Sequence, residues 1–120
     1  MDPLRSQNMQ GIEDADELRK KNTKTIAERR LSDLRHICAT SEGRRFFWDL
    51  LNTCGVFGVS FTAGSADITA FNEGKRVVGM KYYHRLNNAD KTMFQKILLE
   101  SWSEEMSNQA MTNKLLSGDD

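Results

Sequence analysis

His36, Cys38, Cys54 and His84 supply enough donor atoms for a zinc site. Their spacing argues against one. His36 and Cys38 are two residues apart, which on a helix turns them about 200° from each other, and no finger or ribbon uses such pairs. Both cysteines sit at apolar positions of helical patterns, where a free thiol acts as a small hydrophobe. Cys54 precedes Gly55 at an expected helix C-terminus, where the dipole opposes a thiolate. No nucleophile elbow or Cys/His protease signature occurs. The adjacent acids Glu104-Glu105 and Asp119-Asp120 lie in polar surroundings with no apolar pocket to raise a carboxyl pKa. Gly55-x-x-Gly58 lacks both the Gly-Lys-Ser/Thr and the preceding strand of a phosphate loop. Neither catalysis nor a metal or cofactor is expected.

Two other groups of residues could bind something. Arg29, Arg30, Arg35, Arg44, Arg45, Lys75 and Arg76 would form a phosphate-neutralising patch if helix packing brought them to one surface. Between Arg19 and Arg45 nine Lys/Arg face only Glu28, Asp33 and Glu42, whereas from Glu100 onward five acids accompany one lysine. The totals cancel at 17 basic and 17 acidic residues, so no net field draws the chain to nucleic acid or membrane. A nucleic-acid-binding accessory protein using the Arg29–Arg45 surface is the second reading of function. The other group is Phe57, Val59 and Phe61, alternating in a loop rich in Gly, Ser and Ala. A loop of this length in a small domain is commonly functional, which makes these three the candidate partner-binding residues.

The elements that must position them are helices. From about Glu13 to Ala39 no breaker intervenes; Ile26, Leu31, Leu34, Ile37 and Cys38 form a narrow stripe, and before Ile26 the segment is nearly all polar. That part of the first helix must project into solvent or lie under a partner. Thr40 or Ser41 caps a second helix running to about Thr53, with Phe46, Phe47, Leu50, Leu51 and Cys54 on one face and Gly55 as its stop. Residues 55–70 read as a long ordered loop. A third helix is expected from near Asn72, capped by Thr69 or Asn72, with Phe71, Val78, Tyr82 and Leu86 on one side. Asn87-Asn88 turns the chain, Asn88 or Asp90 caps a fourth helix, and Phe94, Ile97, Leu98, Trp102 and Met106 form its apolar face. So short a turn joins the last two as an αα-hairpin. The expectation is an all-α fold of about four helices: a flexible arm at 1–11, one domain over 12–113 and a flexible tail at 114–120.

At 120 residues and 38% hydrophobic content the chain fits one domain with a modest core. Two cysteines without a framework fit a reducing compartment. The first thirty residues lack a signal peptide's apolar centre, and no apolar run reaches the length of a membrane span. Cytoplasmic synthesis, followed by retention or packaging, is the expected setting.

One block goes further than composition. Asp33-Leu34-Arg35, Ser41 to Leu51 (S-E-G-R-R-F-F-W-D-L-L), Cys54 to Phe57 (C-G-V-F), Ser60-Phe61-Thr62 and Phe71 to Gly79 (F-N-E-G-K-R-V-V-G) together resemble a small domain family. The family is encoded by tailed bacteriophages, mainly short-tailed phages and prophages, as a short gene among virion-structure genes. The resemblance covers roughly residues 33–86. It implies a non-enzymatic virion-associated protein, in the virion and in host cytoplasm during assembly. Other virion proteins are the implied partners, with packaged DNA as a further candidate; no catalytic residue carries across. It also suggests a second role for the polar positions. Asn72 and Glu73 at one helix start could accept hydrogen bonds from Arg44 or Arg45 at another, a lock between helices.

Overall fold

A computed structural model describes residues 3–118. Four helices occupy it: α1 (Pro3–Ile37), α2 (Ser41–Thr53), α3 (Ala66–Ala89) and α4 (Met93–Ser117). No strand occurs among the described residues. The fold is all-α, with a long loop over residues 54–65 between α2 and α3.

The outer helices run further than the sequence reading placed them. The arm expected at 1–11 is helical from Pro3, and the tail expected at 114–120 is helical to Ser117. Residues 1, 2, 119 and 120, which also belong to those two expectations, lie outside the described residues. Proline in a first helical turn forfeits no intrahelical hydrogen bond, and no other proline follows to interrupt α1. Local side-chain bonds support its polar stretch: Gln10 to Asp14 at 3.2 Å, Arg19 to Asp16 at 3.4 Å, and the Thr23 and Thr25 hydroxyls to the carbonyls four residues back.

At the α1–α2 corner the Thr40 side chain accepts the Gly43 N–H at 3.0 Å, so Thr40 is the cap. The corner is tight. A Cβ on Gly43 would overlap the Ile37 carbonyl, so only glycine lets the first turn of α2 approach the end of α1 this closely. Gly55, at φ 73°, ends the α2 corner in the left-handed conformation. The face α2 buries is Arg44, Phe47 and Leu51, with Trp48 half-buried, whereas Phe46 is exposed.

α3 starts earlier than expected. Ser65, not Thr69 or Asn72, is its cap, accepting the Ile68 N–H at 3.3 Å, and Asp67 sits in the positive first turn. Asn72 and Glu73 are therefore well inside the helix. Its inward side is also rotated from the expected one: Gly79 and Leu86 are buried and Tyr83 half-buried, while Phe71, Val78 and Tyr82 face outward. The reason lies at Gly79, where a Cβ would stand 2.6 Å from Cys54 Cβ. The absent side chain lets the α2–α3 loop lie directly on α3. Three residues, 90–92, join α3 to α4, and the Asp90 carboxylate accepts both the Thr92 N–H (2.9 Å) and the Thr92 hydroxyl (2.8 Å). Tyr83 and Phe94 meet edge to face near this corner, ring centres 5.0 Å apart.

The core is small. Leu34, Cys38, Phe47, Leu51, Leu86 and Ile97 are its buried apolar residues, drawn from all four helices or their ends, with Trp48, Val56, Tyr83 and Phe94 packed around them. α1 beyond Leu31 toward its N-terminus and α4 beyond Ser101 stand outside it, with residues 16–30 and 102–118 all exposed. The radius of gyration is 23.3 Å, against about 14 Å for a compact chain of this length.

Candidate functional site

The α2–α3 loop carries the three residues singled out for partner binding. Phe57 is half exposed but not free: its ring stacks on Trp48 at 5.5 Å and meets Phe94 at 5.8 Å and Tyr83 at 6.4 Å. It ties α2, α3 and α4 together. Val59 and Phe61 instead stand in solvent, 87% and 70% exposed.

A loop that shows apolar side chains would gain by collapsing unless something holds it. Here α3 holds it. The Thr62 N–H donates to the Thr69 hydroxyl at 2.9 Å, and that hydroxyl lies 3.0 Å from the Ser65 carbonyl and 3.3 Å from the Thr62 carbonyl. The Ser60 hydroxyl donates to Glu73 at 2.7 Å, and Asn72 donates to the Ser60 carbonyl at 3.3 Å. Arg76 grips the same Glu73 carboxylate with two bonds of 2.9 and 2.7 Å. These bonds, the Arg76 fork first, hold the Glu73 carboxyl down at about 2, far below the ordinary carboxylate range. An open groove of about 680 Å³ runs beside Phe61, floored by the first turns of α3.

The basic residues separate into different roles. Arg44 is buried; its Nε donates to Glu100 at 2.7 Å and its Nη1 to the Cys38 carbonyl at 3.0 Å. Hydrogen bonding to Arg44 lowers the Glu100 pKa. Arg45 stands outside, 3.9 Å from Glu42. Arg35 donates to the Ala89 carbonyl at 3.0 Å, and Lys75 lies over the Phe71 ring at 5.3 Å. Arg76 is committed to Glu73. Arg29 and Arg30 are exposed on the projecting part of α1. The interhelical lock thus exists with another partner than those expected, Arg44 with Glu100 of α4, whereas Glu73 pairs with Arg76 within α3 and latches the loop through Ser60. Because α3 begins at Ala66, Asn72 and Glu73 face the loop instead of Arg44.

Of the potential metal donors, Cys38 is fully buried, with burial raising its pKa, and Cys54 is half-buried. His36 Nδ1 is 2.8 Å from the Ser32 carbonyl. Among the described residues no three His, Cys, Asp or Glu side chains come together as a metal site.

A second apolar surface takes in Leu98, Trp102 and Met106 of the apolar face expected for α4, together with Leu99, which that face did not include. Leu98, Leu99, Trp102 and Met106 of α4 are exposed by 46%, 64%, 63% and 55%. With Trp48, Ser101 and Glu105, three of them line a groove of about 310 Å³ between α2 and α4. A neighbouring hollow of about 210 Å³ shares Trp48 and Ser101 and is lined by Arg44 and Arg45 as well as Glu100 and Glu104, so its charge is mixed; Glu104 and Glu105 stand exposed beside the apolar floor. The signal available in the sequence was an excess: α3 and α4 carry more apolar residues than one small core can cover.

Residues 34–81 match the profile of the Bbp19-like phage protein family. The matched stretch takes in the end of α1, all of α2, the loop and most of α3, and leaves out the projecting part of α1 and the whole of α4. No curated protein and no solved structure matches the chain. The matched residues are less than half of the chain, and they are similar to a phage protein family. Among the described residues no helix is long and apolar enough to cross a membrane.

Proposed function

We propose that the chain is a non-enzymatic component of the phage virion, acting through protein–protein contacts in head or tail assembly or as an internal, ejected protein. The observation that carries this reading is the pinned loop. Side-chain bonds from Thr69, Asn72 and Glu73 hold Val59 and Phe61 in solvent, and a fixed apolar display with little ordering entropy left to lose suits a docking contact. The loop also lies inside the family-matched residues, so the context and the surface coincide. Virion proteins are the proposed partners, and the virion, with host cytoplasm during assembly, the proposed location.

Quantitative mass spectrometry of purified, nuclease-treated particles, before and after triggered DNA release, tests it. Presence before release supports a virion component, and loss afterwards identifies an ejected one. Absence from particles defeats the proposal.

Nucleic-acid binding stays as a second reading because Arg29 and Arg30 lie exposed in a helical basic run from Arg19. The patch is smaller than its seven residues suggest, since Arg44 and Arg76 are engaged internally. A DNA complex would weaken steeply with added salt; a contact built on Val59 and Phe61 would not.

A further inference from the structure

We infer that the chain pairs with a second copy of itself, the projecting part of α1, basic from Arg19 to Arg30, from each copy lying along the exposed apolar face of α4 beside Glu104 and Glu105 of the other. The argument begins with area. The chain exposes 9631 Å². A compact monomer of 13.7 kDa would expose about 6,600 Å². The excess, roughly 3,000 Å² per chain, exceeds the roughly 1,000–2,500 Å² each partner buries in obligate pairs.

Charge selects which surfaces meet. α4 pairing with α4 would bring Glu104 and Glu105 of two copies together, a like-charge contact. α1 offers the complement. Ile12, Arg19, Ile26 and Arg30 fall on one face at helical spacing, and all four are exposed. Ile12 and Ile26 would stand about 21 Å apart along the helix, a span the exposed part of α4 accommodates. In an antiparallel register Ile26 would cover Trp102 and Ile12 would cover Leu116, the exposed apolar residue at the same spacing along α4, while Arg19 and Arg30 flank the Glu104-Glu105 turn, the helix-in-groove mode of recognition. Within one chain these groups do not meet: Arg19 has only Asp16 at 3.4 Å, and no ion pair joins α1 to α4 among the described residues. Two copies related by a twofold axis would make the contact twice. The pairing is separate from the loop and holds whatever virion protein the loop meets.

Light scattering coupled to size exclusion, with the full chain at tens of micromolar, tests it. The expected mass is twice the 13.7 kDa of the chain. One variant carries Arg19→Glu and Arg30→Glu, a second Glu104→Lys and Glu105→Lys; all four side chains are exposed, and circular dichroism checks that each variant keeps its helix content. Each variant alone should dissociate at least about tenfold more readily. Mixing the two should restore the dimer, because both contacts are then between opposite charges. A monomeric wild-type chain overturns the inference. So does a dimer that both charge variants leave intact, or a mixture that stays monomeric. Failure here leaves the particle experiment untouched, and the reverse also holds.

Discussion

Arg44 is the buried charge among the described residues, and it is useful only while both its partners are present. A guanidinium can hold five hydrogen-bond directions but cannot shed its proton. Losing the side chain strands the Glu100 carboxylate and the Cys38 carbonyl together. Arg44→Met should therefore lower stability by about 3 kcal/mol in urea or thermal unfolding. Arg45→Glu, one position on but in solvent, should change it by no more than about 0.5 kcal/mol. Thiol chemistry separates neighbours in the same way. Cys38 is fully buried and its thiol is pushed up in pKa, so in the native protein a thiol reagent should modify half-buried Cys54 first, and Cys38 only as the chain unfolds. At Glu73 the folded pKa of about 2 lies below its ordinary 4.5, so the latch to Ser60 is stabilised by ionisation. That stabilisation is complete above pH 4.5 and lost as pH falls toward 2. Carboxyl-carbon NMR should follow the Glu73 titration into this window, with the Ser60 and Thr62 amides shifting alongside it.

At the scale of elements, two glycines inside helices predict opposite outcomes. Gly43→Ala puts a methyl group into the Ile37 carbonyl, a backbone atom that cannot swing aside, and should cost about 1–3 kcal/mol. Gly74→Ala, in α3 with nothing near its Cβ, should stabilise by about 0.5–1 kcal/mol. Chemical denaturation of the two single variants checks both. The same contrast explains what could be read from sequence. α2 was legible at both ends because Thr40 and Gly55 act through their own backbone neighbourhood. The start of α3 was not: Gly64-Ser65-Ala66-Asp67 looks like loop composition, and only the Ser65 bond to the Ile68 N–H makes it a cap. Phe57, Val59 and Phe61 were visible as a loop group because they are close in sequence. The partner of Arg44 was not visible, since Glu100 lies 56 residues away and neither residue announces the other. The outward turn of Phe71, Val78 and Tyr82 was hidden for a related reason. Periodicity marks an apolar stripe but not which of two stripes meets the core, and here Gly79 against Cys54 decides that.

The whole molecule stretches 90 Å along its longest axis, although α1 alone accounts for only about 52 Å of that. Its helical arms therefore extend well beyond a six-residue apolar core. An unsupported helix in water is marginal even when its propensities are good, because packing supplies most helical stability in proteins. Two long arms with no packed face should then open readily in an isolated chain. Amide exchange read by mass spectrometry should show it: under dilute conditions residues 9–30 and 102–117 exchange far faster than residues 41–53 of α2, whose inner face is covered. Raising the concentration distinguishes the ways the arms could be covered. If α1 of one copy lies on α4 of another, both arms gain protection together and over the same concentration range, since each is the other's cover. If α4 pairs with α4, its protection rises alone and α1 stays fast. In the Arg19→Glu, Arg30→Glu variant neither arm should slow, while α2, held by Phe47 and Leu51 in the core, should exchange as it does in the unmodified chain.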